Sequence, residues 1–446
     1  NNNSFISAIA IDNTSVRDQR SVRAMDANKY QKILIESAEP PDLKPRKENA
    51  WITGFQIFVS ILLAGYGMVA ASLLLNRVQY WRVFENMSEL FILVPALLGL
   101  KGNLEMTLAS RLSTNAHLGY LSTHLGSLVM GNLCLIQCQA VLVGFLASIS
   151  ALAMGWIPEG RFSMNHAMVL CASSVLTASL ASLILGLVMI GVIVISTKLK
   201  VNPDNIATPI AASLGDVTTL TLLSFSATFL YKNIGTSKLL AVSIIILGIV
   251  LIPLCGYVAW KNKFTKQALH ESWAPVMSAM VISSVGGLIL DYAVASYKGI
   301  AMFQLVINGI GGNMVAVHAS KLSTAFHTGE IVESIMGNTS RLLLLMVIPS
   351  QLIFLYTIVT IQSAHVTVVF ILMYVFAALL QVFLLLTVSY HLVVWMWKQG
   401  MDPDNSAIPY LTALGDLLGT AFLGVSFYIL HSIGHRNGIG MEYYRI

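Results

Sequence analysis

Two aspartates, Asp216 and Asp416, are the residues of this sequence whose surroundings most strongly indicate chemistry. Each lies about 11 residues beyond the start of a long apolar segment, which corresponds to roughly 16 Å along a helix that rises 1.5 Å per residue. That depth is about half of a hydrocarbon core of roughly 30 Å, where ionisable groups are costly and usually functional. Two carboxylates that meet at the middle of a bilayer need a cation between them, so the pair predicts a cation site.

A proline precedes each of these aspartates by seven residues, which is two helical turns. Pro209 and Pro409 are therefore expected on the same helix faces as the two carboxylates. A proline within a helix frees the carbonyl group four residues before it, here that of Asn205 and of Asn405. Free carbonyl groups at membrane depth are tolerated only where they line a polar path, so the prolines predict helix-breaking backbone along a pore.

Further oxygen ligands come from two matching asparagines and one glutamate. Asn103 and Asn313 each follow a glycine that allows close backbone approach, and Glu105 adds a third carboxylate. Glu105 is equally suited to pair with Lys101, four residues earlier on the same helix. Because every candidate ligand is an oxygen, the set suits hard cations and disfavours zinc or copper. The small number of carboxylates favours Mg²⁺, although composition alone does not separate Mg²⁺ from Ca²⁺ or Na⁺.

Other acidic and amide residues lie towards the ends of the apolar segments. Asp204 and Asp404 precede the deep aspartates by 12 residues, about 18 Å along a helix, so they cannot share one ion with them. Together with Asp402 they are expected at the mouth of a pore, where they attract cations. Asn76 and Asp291 lie near segment ends, and are either interfacial caps or contacts of the ion.

The composition indicates that membrane-spanning helices position these residues. The chain has 446 residues, of which 56% are hydrophobic and 11% are charged, against roughly 25% charged residues in soluble proteins. It is therefore an all-α polytopic membrane protein. Eleven segments are long and apolar enough to cross a bilayer, namely 52–75, 89–110, 127–156, 167–197, 205–230, 238–260, 273–296, 301–320, 341–361, 365–396 and 406–431. The second, fifth, eighth and eleventh of them are the most polar.

Positive charges predict the orientation of these spans. With the N-terminus inside, cytoplasmic segments hold 17 Lys and Arg residues and the opposite side holds eight, which favours a cytosolic N-terminus and an extracytosolic C-terminus. Residues 1–50 are polar and read as a flexible cytosolic tail. The plasma membrane is the expected location, and the mitochondrial inner membrane suits the same topology.

The sequence also contains an internal duplication. Residues 99–114 match residues 309–324 at an offset of 210, and residues 202–216 match residues 402–416 at an offset of 200. An odd helix between two five-helix repeats restores the orientation of the first repeat, so the repeats should be parallel and related by a pseudo-two-fold axis along the membrane normal. The expected parts are a tail (1–50), a first repeat (51–232), a linker helix (233–265), a second repeat (266–432) and a short extracytosolic tail (433–446).

Three stretches, residues 95–114, 202–209 and 408–420, resemble the eukaryotic solute carrier family 41, magnesium transporters related to the bacterial MgtE channel. The resemblance extends from about Trp51 to Leu430. It implies that each repeat is like one MgtE transmembrane subunit, so one chain mimics the bacterial homodimer and functions as a monomer. It also implies that the pore aspartate falls on Asp216 and Asp416.

The sequence departs from that pattern in two ways. Fifty N-terminal residues are too few for the cytoplasmic magnesium-sensing region of the bacterial relatives. The halves also differ at Lys101 and Gly311, and at Glu105 and Val315, so the site is asymmetric and exchange coupled to Na⁺, proposed for the family, is an alternative to a symmetric channel.

The expected function is transport of Mg²⁺, or of other divalent cations, through a pore at the interface of the two repeats. The alternative is a Mg²⁺-responsive membrane receptor or scaffold with a structural ion site. An enzyme is not expected, because the sequence contains no metal-hydrolase motif, nucleophile elbow or phosphate loop. Membrane lipid and the ion are the expected partners, and nucleic acid is not.

Overall fold

A computed structural model describes residues 50–117, 120–159, 163–199, 204–233, 235, 238–297, 299–328, 332–401, 403–433 and 439–441. Almost the whole N-terminal tail lies outside this part of the chain. The described chain is nearly all helical. Its helices are α1 (Ala50–Val78), α2 (Arg82–Asn86), α3 (Glu89–His117), α4 (Tyr120–Glu159), α5 (Met164–Lys198), α6 (Asp204–Asn233), α7 (Lys238–Lys261), α8 (Lys266–Glu271), α9 (Trp273–Ser296), α10 (Ala301–Thr328), α11 (Val332–Ile361), α12 (Val368–Lys398) and α13 (Pro403–Ser432).

The eleven long helices coincide with the eleven segments expected from the sequence, which confirms the all-α polytopic class. Within the described residues, nine of them are apolar and long enough to cross a membrane. The other two are α6 and α10, because polar side chains such as Asp216 and Asn313 interrupt their apolar stretches. Such helices are expected to face the protein interior rather than lipid.

The two repeats have the same internal packing. In the first repeat α3 packs against α4, α5 and α6, and in the second α10 packs against α11, α12 and α13. The fourth and fifth helices of each repeat also pack against each other, as α5 with α6 and α12 with α13. The fold therefore carries the internal duplication that the sequence predicts. The linker helix α7 packs against α4 and α5 of the first repeat.

The first helix of each repeat packs against the other repeat. In α1, Met68 contacts Gly309 of α10, and a Cβ at Gly65 would overlap the ring of Phe354 of α11. In α9, a Cβ at Gly287 would overlap the backbone of Ile92 of α3. Because this exchange is reciprocal, each half packs closely against the other, and close packing of this kind drives the association of helices in a bilayer.

The first helices of both repeats contribute to the two large apolar cores. One core combines α3, α4 and α5 with Leu75 and Val78 of α1 and with Val276 and Met280 of α9. The other combines α10, α11 and α12 with Ile61 and Met68 of α1. Since lipid is as apolar as these side chains, van der Waals packing stabilises the contacts, and the first helix of each repeat is an integral part of both cores.

One small sheet was not expected from the sequence. Strand β1 (Ala364–Val366) pairs antiparallel with β2 (Ile439–Met441), with Ala364 opposite Met441. The tenth expected span, 365–396, therefore begins in a strand, and its helix starts only after Thr367. The Thr367 hydroxyl accepts a hydrogen bond from the Phe370 amide at 3.2 Å, and this N-cap fixes the start of α12.

Candidate cation site between the two halves

A cavity of about 80 Å³ lies where the two halves meet. It is lined mainly by α3, α6, α10 and α13, which are the four helices that the sequence marks as the most polar. Its lining includes four of the five residues expected to contact a cation, namely Asp216, Asp416, Asn103 and Asn313. A cavity of this size has room for several water molecules, so it can hold a cation that retains part of its hydration shell.

Asp416 is held by a hydroxyl group from the swapped helix α9. Ser283 Oγ donates a hydrogen bond to Asp416 Oδ2 at 3.1 Å. Both groups lie beside Gly99 of α3, where a Cβ would be 3.0 Å from Ser283 Oγ and 3.1 Å from Asp416 Oδ2. The absence of a side chain at Gly99 therefore leaves the space in which the carboxylate and the hydroxyl meet.

The backbone of α13 around Asp416 is fixed by two amide side chains. Asn308 Nδ2 donates to the Asp416 carbonyl oxygen at 3.0 Å, and Gln381 Nε2 donates to the Gly415 carbonyl oxygen at 2.9 Å. Both amides are almost fully buried. Because buried hydrogen bonds are poorly replaced by water, these two bonds hold the turn that carries the carboxylate.

One hydrogen bond within the cavity lining joins the two halves directly. Thr412 Oγ1 of α13 donates to Asn103 Oδ1 of α3 at 3.0 Å. The buried Asn103 Nδ2 has no hydrogen-bond partner among the described residues. The Thr412 hydroxyl has one hydrogen and also lies 3.0 Å from the Ile408 carbonyl oxygen and 3.1 Å from that of Pro409, so the Asn103 oxygen shares this donor and keeps lone-pair capacity for an ion.

Glu105 lies beside the cavity rather than in its lining. Its side chain is only 2% exposed, and its carboxylate packs against Gly215, the residue before Asp216, where a Cβ would be 2.9 Å from Glu105 Oε2. The structure therefore places this carboxylate against the backbone of α6. The alternative pairing with Lys101 falls on a side chain outside the described part of the structure.

The expected pore-mouth residues fall largely outside the described part. Asp402 is not described, and neither are the side chains of Asp204, Asp404, Asn205, Asn405 and Pro209. Pro409 lies inside α13, which continues as a helix through it. The expected break at Pro409 is therefore a lost hydrogen bond rather than an interrupted helix.

Asn76 and Asp291 both lie outside the cavity lining. Gln79 Nε2 donates to the Asn76 carbonyl oxygen at 2.9 Å and to Asn76 Oδ1 at 2.6 Å. Asn76 thus takes part in the hydrogen bonding that ends α1, in line with the interpretation as a cap. Asp291 is half-buried in α9.

Sequence reasoning missed a polar group that occurs only in the second half. Gln304, Asn308 and Thr420 have the apolar counterparts Val94, Leu98 and Leu220 at the same offsets of 210 and 200. Gln304 Nε2 and Asn308 Nδ2 both donate to Thr420 Oγ1, at 3.2 and 2.9 Å. Comparing the repeats position by position beyond their matching motifs could have revealed this difference.

No metal-binding cluster of the zinc type appears in the described residues, because no group of three or more His, Cys, Asp or Glu side chains gathers there. The cavity offers carboxylate, amide and hydroxyl oxygens instead. This donor set fits a hard cation, and the two carboxylates that line one small cavity repel each other unless a positive charge lies near them.

Comparison with known proteins agrees with this architecture. The MgtE family, described as divalent cation transporters, matches residues 94–226 and 304–426. The chain belongs to this family. The two matched segments take in most of α6 and of α13, and one lies in each half of the chain, which confirms the resemblance seen in the sequence. MgtE family membership makes the chain a divalent cation transporter rather than an enzyme.

Relatives with similar sequences over most of their length lie within the same group. The chain is 49% identical to solute carrier family 41 member 2 of Mus musculus over 91% of this chain and 74% of the relative. It is 48% identical to member 2 of Homo sapiens, over 88% and 73%, and 41% identical to member 3 of Mus musculus, over 90% and 86%. No solved structure matches the chain.

Proposed function

We propose that the chain transports Mg²⁺ across a membrane through the cavity between its two halves, and that Asp216 and Asp416 together hold the ion there. The observation that carries the proposal is that both carboxylates line one cavity, although they are 200 residues apart and belong to different repeats. Asn103 and Asn313 line the same cavity and can complete the shell directly or through water.

The donor set favours Mg²⁺ over Ca²⁺. Mg²⁺ keeps several waters and usually takes one or two protein carboxylates, whereas Ca²⁺ takes six to eight oxygen ligands. The cavity offers two carboxylates and a few neutral oxygens, which suits a partly hydrated Mg²⁺. Contact of Glu105 with the ion, directly or through water, is a further part of the proposal.

The path of the ion follows from the orientation proposed above. With the N-terminus in the cytosol, Asp204, Asp402 and Asp404 lie at the cytosolic mouth, because they are at or just before the starts of α6 and α13. Pro209 and Pro409, with the carbonyl groups of Asn205 and Asn405, line the way to the deep pair. We place this site in the plasma membrane, with the mitochondrial inner membrane as the alternative.

A single chain is proposed to be the transporting unit. The parts are the tail (1–50), the two repeats (51–232 and 266–432), the linker (233–265) and the final segment (433–446). Because each repeat contributes one carboxylate to the cavity, one chain supplies what two copies supply in a homodimer. Coupling to Na⁺ is proposed on the grounds that the two halves of the cavity differ.

The test is Mg²⁺ flux into proteoliposomes that contain the purified protein, with and without a Na⁺ gradient. Asp216→Asn and Asp416→Asn should each abolish most of the flux, because each removes one charge from the shared site. Glu85→Gln, at an exposed carboxylate outside the cavity, is the matched control and should keep the flux. Flux that persists in both aspartate variants would contradict the paired site.

The same proteoliposomes distinguish Mg²⁺ transport from the alternative function. A Mg²⁺-responsive receptor or scaffold would gain thermal stability from Mg²⁺ but would show no flux in any variant. Dependence of the flux on the Na⁺ gradient would identify coupled exchange, and independence would identify a channel.

A further inference from the structure

The linker helix α7 presents most of its surface to lipid. Of the nine apolar spans among the described residues, it has the smallest buried share, and it packs mainly against α4 and α5. One face carries a stripe of exposed residues, each three or four positions after the last, namely Ile246, Val250, Leu254, Tyr257 and Lys261. The four members before the lysine are each more than half exposed. This face therefore points away from the rest of the described chain and leads directly to a positive charge.

The apolar stripe has the length of one leaflet of a bilayer. Tyr257 follows Ile246 by eleven residues, which is roughly 16 Å along a helix, and half of a hydrocarbon core is roughly 15 Å. Tyr257 and Trp260 are about half exposed at its end, and aromatic side chains are typical of the level at which hydrocarbon meets headgroups. An acyl chain can thus lie along the stripe while its headgroup lies beside residues 261–266.

Three lysines gather in the turn that follows α7. Each ammonium group lies over an aromatic ring, 4.7 to 5.6 Å from its centre, and the pairs are Lys261 with Tyr257, Lys263 with Phe264 and Lys266 with Trp260. The face of an aromatic ring attracts a cation. The three charges are therefore held together at the level of the headgroups rather than spread into solvent.

The turn itself is fixed to the helices beside it. Asn262 Nδ2 donates to the Ser127 carbonyl oxygen of α4 at 2.7 Å, and Asn262 Oδ1 accepts a hydrogen bond from the Phe264 amide at 3.0 Å. The buried Thr265 Oγ1 donates to the Ala259 carbonyl oxygen at 2.8 Å, which ties the turn back to α7. A surface that is ordered in advance loses less conformational freedom when a ligand binds.

Nearby carboxylates do not balance the charge of this turn. The sequence contains no Asp or Glu between Asp216 and Glu271. Within the part of the chain that the structure describes, none of the three lysines forms an ion pair with a carboxylate. A concentrated positive charge at the end of an exposed apolar stripe is complementary to an anion that carries an apolar tail.

We infer that residues 261–266, which we call the lysine turn, bind an anionic phospholipid together with the apolar stripe of α7. The phosphate group contacts the three lysines, and one acyl chain lies along Ile246, Val250 and Leu254. The orientation proposed above places the lysine turn at the cytosolic surface, where anionic lipids make the leaflet negative. The inference goes beyond the proposed function, because lipid binding requires no ion in the cavity.

The apolar stripe favours a lipid over a soluble anion. A free phosphate compound would contact only the lysines, whose exposed charges are screened by salt. A phospholipid contacts the lysines and α7 at once, and the bilayer keeps it at the level of the turn. The headgroup without its acyl chains is therefore the compound that distinguishes the two sources of phosphate.

The test is lipid binding by the purified full-length chain in a mild detergent. Dioleoylphosphatidylserine, dioleoylphosphatidylcholine with the same acyl chains and O-phosphoserine without acyl chains are added in parallel. Thermal unfolding gives the stabilisation, and native mass spectrometry gives the number of retained lipids. The expected result is saturable stabilisation by phosphatidylserine, at a concentration at least about tenfold lower than for phosphatidylcholine, and none by phosphoserine. Equal effects of the two lipids, or of phosphatidylserine and phosphoserine, would overturn the inference.

Lys261→Gln with Lys266→Gln removes two of the three charges from exposed side chains. Each lysine near an anionic membrane surface contributes about fivefold in affinity, so this double variant should bind phosphatidylserine roughly tenfold to thirtyfold more weakly. Lys198→Gln with Lys398→Gln removes two exposed lysines at the ends of α5 and α12 and is the matched control, which should bind as the wild type does. An equal loss in both double variants would overturn the inference, because it would show that net charge alone attracts the lipid.

Lys261→Arg with Lys266→Arg separates a role of the charges from a role of the lysines in folding. Arginine keeps both charges and also contacts phosphate and aromatic rings, so this variant should retain phosphatidylserine as the wild type does. A loss as large as in the glutamine variant would contradict a site that binds the lipid through charge.

Discussion

A methyl group added at Gly99 should weaken cation binding at the carboxylate pair. The Cβ of Gly99→Ala would lie 3.0 Å from Ser283 Oγ and 3.1 Å from Asp416 Oδ2, which are already joined by a hydrogen bond of 3.1 Å. Carbon and oxygen do not approach so closely without displacement, so the methyl group separates the hydroxyl from the carboxylate. Asp416 then loses the donor that fixes its direction.

The size of the effect follows from that one bond. A hydrogen bond to a charged group contributes about 1.5–3 kcal/mol, and each 1.4 kcal/mol is a factor of ten in affinity. We therefore expect the apparent affinity for Mg²⁺ in a proteoliposome flux assay to fall about tenfold to a hundredfold. Thermal stability should change little, because the roughly 0.5–1 kcal/mol that alanine gains over glycine within a helix offsets part of the free energy lost with the hydrogen bond.

Two further variants establish the cause. Gly424→Ala in α13 adds a methyl group where nothing lies within 4 Å and should transport like the wild type. Ser283→Ala removes the hydroxyl, so Gly99→Ala should cost less in that background than in the wild type, a non-additivity expected of residues in contact. Wild-type affinity in Gly99→Ala, or full additivity with Ser283→Ala, would refute the reasoning.

Three other outcomes are expected. Gly287→Ala should lower the free energy of unfolding by about 1–3 kcal/mol, and with it the thermal midpoint, because its Cβ would lie 2.7 Å from the Ile92 Cα. Gly191→Ala, whose Cβ would meet no atom within 4 Å, is the control and should leave the midpoint unchanged. Thr412→Val should destabilise the contact between the halves by roughly 1 kcal/mol, seen by thermal unfolding, because Asn103 Oδ1 loses its donor; an unchanged midpoint would show that the bond does not hold the halves. Flux should fall as the pH is lowered from neutral to mildly acid, because protons compete with the cation for the carboxylate pair, and a flat pH profile would argue against two coupled carboxylates.

The sequence alone determined the class of protein and the carboxylate pair. A chain with so little charge cannot form a water-soluble surface, and hydrophobic length alone sets the number of long helices. The duplication then placed Asp216 and Asp416 at equal depth, because parallel repeats of equal helices share one register. Asn103 and Asn313 followed from the same matching motifs.

Only the tertiary structure decided which residues surround that pair. The packing of α9 against α13 brings Ser283 to Asp416, across 133 residues of sequence, and no local pattern encodes which neighbour a helix face will meet. For the same reason Glu105, two residues from Asn103, lies against Gly215 rather than in the cavity lining. Gln304 and Asn308 likewise find their shared hydrogen-bond partner, Thr420, only because α10 packs against α13. The sequence shows that these residues are polar, but only the packing of the helices shows which groups they contact.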